Sequence, residues 1–189
     1  MTAKTCMSLQ ERCTGKGLVA AAAALAPGSA MAQAVPAQFA HGDYSHWGVN
    51  ALVVLVTVAT VCLCVLLHYE ALNALSRWLS HRHGERRQRV LLAIVGMLSA
   101  HIAEIWVFGV ASAVLLLGPQ FGVTSGIESD LLDQVYLSAM TFTTVGVGNA
   151  QVAGPIRFLN GMEAVTGLVL ITWSASFTFL EMERFWRDR

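Results

Sequence analysis

Three long apolar stretches set the pattern of this chain. The first runs from Asn50 to about Leu75, and its core from Ala51 to Leu67 contains no charged residue. Val90 to Leu117 forms the second and Ile156 to Leu180 the third. At about 1.5 Å per helical residue, each can cross most or all of a hydrocarbon layer about 30 Å thick. Between the second and third lies a shorter amphipathic segment, Ser129 to Phe142. There Leu131, Leu132, Val135, Leu137 and Met140 supply an apolar surface, and Asp130 and Asp133 favour the first turn electrostatically. As a helix this segment reaches only about 21 Å, so it enters the membrane and turns back. Its C-terminal end then carries partial negative charge from unpaired carbonyls toward the middle of the bilayer. Gly118-Pro119 terminates the second stretch and Gly154-Pro155 breaks the chain before the third. The pattern predicts an all-α integral membrane fold of three transmembrane helices plus one re-entrant helix and loop.

Residues 1–32 have the parts of a secretory signal. Lys4, Arg12 and Lys16 precede a short apolar run from Gly17 to Ala26, and Ala30-Met31-Ala32 offers small residues at a cleavage position. An uncleaved Ala-rich first helix is the other reading. Residues 33–49 contain no Lys or Arg, which suits an exported segment. The expected organisation is therefore a signal peptide over 1–32, an exported segment over 33–49, and a first transmembrane helix with a basic loop over 50–89. A two-helix unit enclosing the re-entrant segment over 90–180 and a tail over 181–189 follow.

Composition agrees with a membrane protein: 55% of residues are hydrophobic and 13% charged. The formal net charge of zero hides an asymmetry. Five Arg lie between Arg77 and Arg89 and three more in the tail after Glu181, leaving only Arg157 on the other side. By the positive-inside rule both clusters are cytoplasmic flanks, so the N-terminus is outside and the C-terminus inside a multi-pass cell-membrane protein. No nucleic-acid partner follows from these runs. An enzyme with a small-molecule substrate has no support, since there is no HExxH pattern and no glycine-rich phosphate loop before a lysine. Cys62 and Cys64 lie two apart on one helix and do not face each other, and Cys6 and Cys13 fall in the signal, so no disulfide or metal site is implied.

The stretch Thr143-Thr144-Val145-Gly146-Val147-Gly148 sits after the short helix and before the third span. A dehydrated cation needs a ring of oxygen dipoles, and extended backbone with small residues at alternate positions can turn successive carbonyls to one side. Gly146 and Gly148 permit positive φ, and the Thr144 hydroxyl adds an oxygen ring at the inner end. Over roughly residues 128–180 the chain resembles the pore domain of the potassium channel family, with its TVGYG-type filter. The resemblance implies a filter at Thr143, Thr144, Val145, Gly146, Val147 and Gly148, a homotetramer around one axis, and permeant K⁺ with no other cofactor or metal. Two positions depart from the family: Val147 replaces its usual Tyr, and Asn149 at the outer mouth replaces its usual Asp. Leu137 and Met140 stand where some members carry polar or aromatic partners for those two residues, so the filter is expected to be braced by apolar packing. The helix preceding the two-helix unit resembles the layout of small prokaryotic channels.

Four further positions carry expectations. Gly167, 19 residues after Gly148, is either a gating hinge or a site of close helix packing. His101, Glu104 and Glu163 are ionisable groups inside apolar spans, which are costly and point to function. Counting along the helices puts Glu104 and Glu163 at similar depth. They can then share a proton, form a His101–Glu163 ion pair, or act as a neutral clamp between helices. His68 and Glu70 are expected as interfacial anchors, and the five Trp as belt or packing residues. Besides a potassium-type channel, a weakly selective cation channel and a non-conducting sensor or regulatory subunit with a pore-like fold remain as readings.

Overall fold

The computed structural model describes residues 46–81, 86–126, 130–146 and 150–187. The expected signal peptide and most of the exported segment, together with residues 82–85 of the basic loop, lie outside the described residues. The described elements run α1 (Trp47–His81), α2 (Arg86–Leu116), β1 (Val123–Ser125), α3 (Leu131–Phe142), β2 (Gln151–Ala153) and α4 (Arg157–Arg187). Three helices are long and apolar enough to cross a membrane, over Trp47–Ser80, Gln88–Leu116 and Arg157–Glu183. The fold is all-helical and membrane-spanning, as the pattern of apolar runs predicts, and α3 is too short to be a fourth span.

Each long helix buries one stripe at three- and four-residue spacing, the signature of a single packed face. On α1 this stripe is Val53, Thr57, Thr60, Cys64, His68, Leu72 and Leu79. On α2 it is Ala93, Met97, Ala100, Glu104, Phe108, Ser112 and Leu115; on α4 it is Leu159, Glu163, Thr166, Leu170, Ser174 and Glu181. The other faces expose Leu, Val and Ile throughout, as a helix bathed in lipid tails does. Hydroxyls on the stripes are satisfied locally, with Thr57 donating to the Val53 carbonyl at 2.7 Å and Thr60 to that of Val56 at 2.8 Å.

Helix lengths differ from expectation. Thirty-five residues make α1 about 52 Å long, so it continues past Leu75 through Arg77 to His81. The basic segment read as a loop is mostly helix at its described ends. Nothing in residues 76–81 breaks a helix, and Leu72 and Leu79 of α1 are buried, as are Ala93 and Met97 of α2. That burial carries the helical hairpin beyond the hydrocarbon layer.

The re-entrant helix starts at Leu131, with Asp130 as an N-cap in extended conformation. It buries Gln134, Leu137, Ser138 and Phe142. The Gln134 amide bridges two elements: the Ser112 hydroxyl of α2 donates to its Oε1 at 3.1 Å, and its Nε2 donates to Thr124 Oγ1 of β1 at 3.3 Å. β1 pairs antiparallel with β2, Val123 opposite Ala153 and Ser125 opposite Gln151. The Ile156 amide also donates to the Phe121 carbonyl at 3.0 Å. Both ends of the re-entrant segment are thereby tied together. Phe108, Phe142, Ile156, Leu159 and Leu170 fill the core where α2, α3 and α4 meet.

Candidate functional site

The loop after α3 folds back onto the end of its own helix. Thr143 N–H donates to the Ala139 carbonyl at 3.2 Å, Thr144 N–H to that of Thr141 at 2.9 Å, and Gly146 N–H to that of Met140 at 3.0 Å. The Thr143 hydroxyl adds a bond to Ala139 at 2.7 Å. Three carbonyls expected to be unpaired at the helix end are therefore occupied by amides that follow them. A trans peptide is planar, so the N–H of one residue and the C=O of the residue before it point in opposite directions. With the amides of Thr144 and Gly146 turned to the helix, the carbonyls of Thr143 and Val145 are directed away from it.

The sign of φ alternates along the same residues. It is −80° at Thr143, +59° at Thr144, negative at Val145 and +77° at Gly146. Gly146 takes its positive φ as expected. Thr144 does so as well, and for a β-branched residue the left-handed region costs about 1–2 kcal/mol. Strain of that size persists where surrounding contacts over-determine it, and it concentrates at functional sites. Val145 is 70% exposed in the single chain. Val147, Gly148 and Asn149 lie outside the described residues.

The loop is pressed from behind by α4. A Cβ on Gly167 would overlap the Phe142 carbonyl oxygen and come within 2.8 Å of its carbon. Glycine at 167 lets the two backbones approach, and α4 runs through it as continuous helix.

The second site is a closed ring of polar side chains shared by α1, α2 and α4. His68 Nδ1 lies 2.8 Å from Glu104 Oε1, and His101 Nδ1 lies 2.9 Å from Glu104 Oε2. On the far side of both rings, Ser174 Oγ lies 2.9 Å from His101 Nε2 and 3.4 Å from His68 Nε2. His68 and Glu104 are fully buried. Trp173 packs on His68 at 5.3 Å between ring centroids, and Phe142 on His101 at 5.9 Å.

Two expectations are corrected here. His68 is not an interfacial anchor: it sits one helical turn after Cys64 on the buried stripe of α1, where Glu104 receives it. Nor does His101 pair with Glu163, or Glu104 share a proton with it. His101 and Glu104 belong to the ring, whereas Glu163 meets Ser138 of the re-entrant helix, whose hydroxyl also lies 2.9 Å from the Ile105 carbonyl. Glu104 lies about 21 Å from the inner end of the second apolar run, and Glu163 about 10 Å from the outer end of the third. α2 is 31 residues long, about 46 Å, so the two counts do not share an origin. From their outer ends the residues differ in depth by about 9 Å.

Residues 92–184 match a family model described as ion channel, a match that runs from α2 through the re-entrant helix and the loop after it to α4. Over that stretch the chain is similar to the ion channel family. No curated protein and no solved structure matches the chain. The matched stretch contains His101, Glu104 and Ser174, while His68 lies on the helix that precedes it. The polar ring is thus the joint between that unit and α1. Sequence reading missed His68 and Ser174 as its members; the signal was the run Thr57, Thr60, Cys64, His68 at helical spacing, a polar stripe within an otherwise apolar span.

Proposed function

We propose that this ion channel passes potassium down its gradient through a tetrameric pore. Thr143 to Gly148 form the filter, Asn149 its outer mouth, and the basic ends face the cytoplasm. The observation that carries the reading is the alternating sign of φ over Thr143–Gly146, which turns the Thr143 and Val145 carbonyls away from the helix behind them. Carbonyls so directed are the oxygens a dehydrated monovalent cation needs. One chain supplies one such strand, and its exposure leaves those oxygens for a shared axis. Four copies in cyclic symmetry close that axis. Ser138 and Gly167 hold the strand from behind, and Gly167 permits α4 to bend near the filter base.

Flux from liposomes containing the purified protein, under potassium, rubidium and sodium gradients, tests the proposal. Potassium and rubidium are expected to pass and sodium to pass more slowly. Equal passage of all three would replace the selective pore with a weakly selective one, the reading that Val147 and Asn149 favour. Absence of flux from tetramers would remove the conducting role.

A further inference from the structure

The polar ring raises a question of proton count. His68, His101 and Glu104 offer donor atoms that all lie within 4.8 Å of one another, and each imidazole has both nitrogens engaged. Nδ1 faces the Glu104 carboxylate and Nε2 faces Ser174. If both Nδ1 atoms carry protons for the carboxylate, two neutral rings present bare Nε2 lone pairs to Ser174. A hydroxyl has one proton, so it serves only one of them. The arrangement balances differently when a cation takes the place of the two Nδ1 protons. Both rings then carry Nε2–H, and the two lone pairs of the Ser174 oxygen accept both.

We propose that His68, His101 and Glu104 bind a divalent transition-metal ion of the zinc class, with Ser174 as the common acceptor of the two imidazoles on the side away from the ion. Two neutral imidazole nitrogens and one carboxylate suit zinc and its neighbours rather than magnesium or calcium, which prefer oxygen shells. The 2.8 and 2.9 Å separations between Nδ1 and carboxylate oxygens are hydrogen-bond distances; four-coordination with bonds of about 2.0–2.1 Å opens each to about 3.3–3.4 Å, a shift of about half an ångström. Metal-bound histidines regularly donate their remaining N–H to an oxygen, which fixes tautomer and ring orientation. Ser174 stands in that position for both rings at once. Three protein ligands leave a fourth place for water or hydroxide, and hydroxide there brings the charge of ion, carboxylate and neutral rings to zero. Trp173 and Phe142 wall the rings with aromatic surface.

The consequence is mechanical. The ligands come from α1 and α2, and the acceptor of both rings comes from α4, two turns beyond Gly167. A bound ion turns both Nε2 atoms into donors and so fastens α4 by two hydrogen bonds. Its influence on conduction rests on the pore reading above; its binding does not.

The test uses the full chain, purified in detergent without a polyhistidine tag and stripped with a chelator. Zinc is titrated in competition with a chromophoric chelator, and cobalt(II) is added in parallel as a spectroscopic substitute. The expected result is one zinc per chain and the visible absorption of four-coordinate cobalt. His68→Gln and Glu104→Gln are expected to abolish the cobalt band, while Ser174→Ala keeps it and weakens zinc about 10–100-fold. Wild-type chains that elute as folded protein yet bind no zinc would overturn the proposal without recourse to any variant. Unchanged affinity in folded His68→Gln would overturn it too. Flux measured on stripped and zinc-loaded protein separates the two readings: zinc bound without flux ends the pore reading alone, and flux without zinc bound ends this one alone.

Discussion

The loop after α3 and the polar ring both lie against α4, yet they are built in opposite ways. In the loop, backbone bonds to backbone, Thr144 is strained and Val145 is exposed. In the ring, side chain meets side chain, the partners come from three helices of one chain, and His68 and Glu104 are fully buried. Among the described residues a single chain completes the ring, but it turns the Thr143 and Val145 carbonyls away from the helix and leaves the Val145 side chain exposed. The loop therefore depends on what surrounds the chain, and the ring on which residues the chain carries. Stability should follow the ring, and ion passage the loop.

The largest effect is expected at Glu104. Glu104→Ala removes the shared acceptor of two imidazoles, and breaking a buried polar pair on one side costs about 3–5 kcal/mol. Thermal unfolding in detergent, followed by circular dichroism, should show a clear drop in midpoint. Melting at the wild-type temperature would mean that the ring contributes nothing to the fold.

Gly167→Ala comes next. Its methyl group overlaps the Phe142 carbonyl, and overpacking of this kind costs about 1–3 kcal/mol. Lower thermal stability together with altered flux is expected, because the displaced carbonyl begins the loop. Intact flux with lowered stability would sever α4 from the loop and weaken the contrast.

Thr144→Gly sharpens the comparison from the other side. It relieves about 1–2 kcal/mol of left-handed strain but gives the unfolded chain more freedom, worth about 0.5–1 kcal/mol. Stability should change by under about 1 kcal/mol while potassium flux falls with the lost hydroxyl and rigidity. A large stability change with normal flux would invert the assignment. The smallest effect is expected for Ser112→Ala, which leaves Gln134 one donor short at a cost of about 1 kcal/mol, read from the same melting curves.

Much of the fold could be read from the sequence because its lengths are physical. Apolar runs long enough to cross a bilayer, one amphipathic segment too short to do so, and Gly-Pro breaks between them specify three spans and a re-entrant helix. The two three-residue strands could not be read, since such short elements show no periodicity and depend on a partner 26 or more residues away. The motif from Thr143 to Gly148 stands out in the sequence, but the left-handed Thr144 does not. A β-branched residue argues against that conformation until the bonds from the loop to Met140 and Thr141 impose it. His101 and Glu104 were marked by their cost inside a membrane. His68 was hidden by its place at the end of an apolar run, and Ser174 by being a small polar residue of a kind common in such helices.

The antiparallel pair of β1 with β2 gives the chain from 126 to 150 a neck: it leaves and re-enters through one short ladder. The re-entrant segment consequently behaves as a noose rather than as two independent tethers. Tension applied on the α2 side is passed across the ladder to the α4 side before it reaches Thr143. Amide exchange at Val123, Thr124 and Val152 would therefore report whether that noose is drawn tight or slack, without any probe placed in the loop after α3.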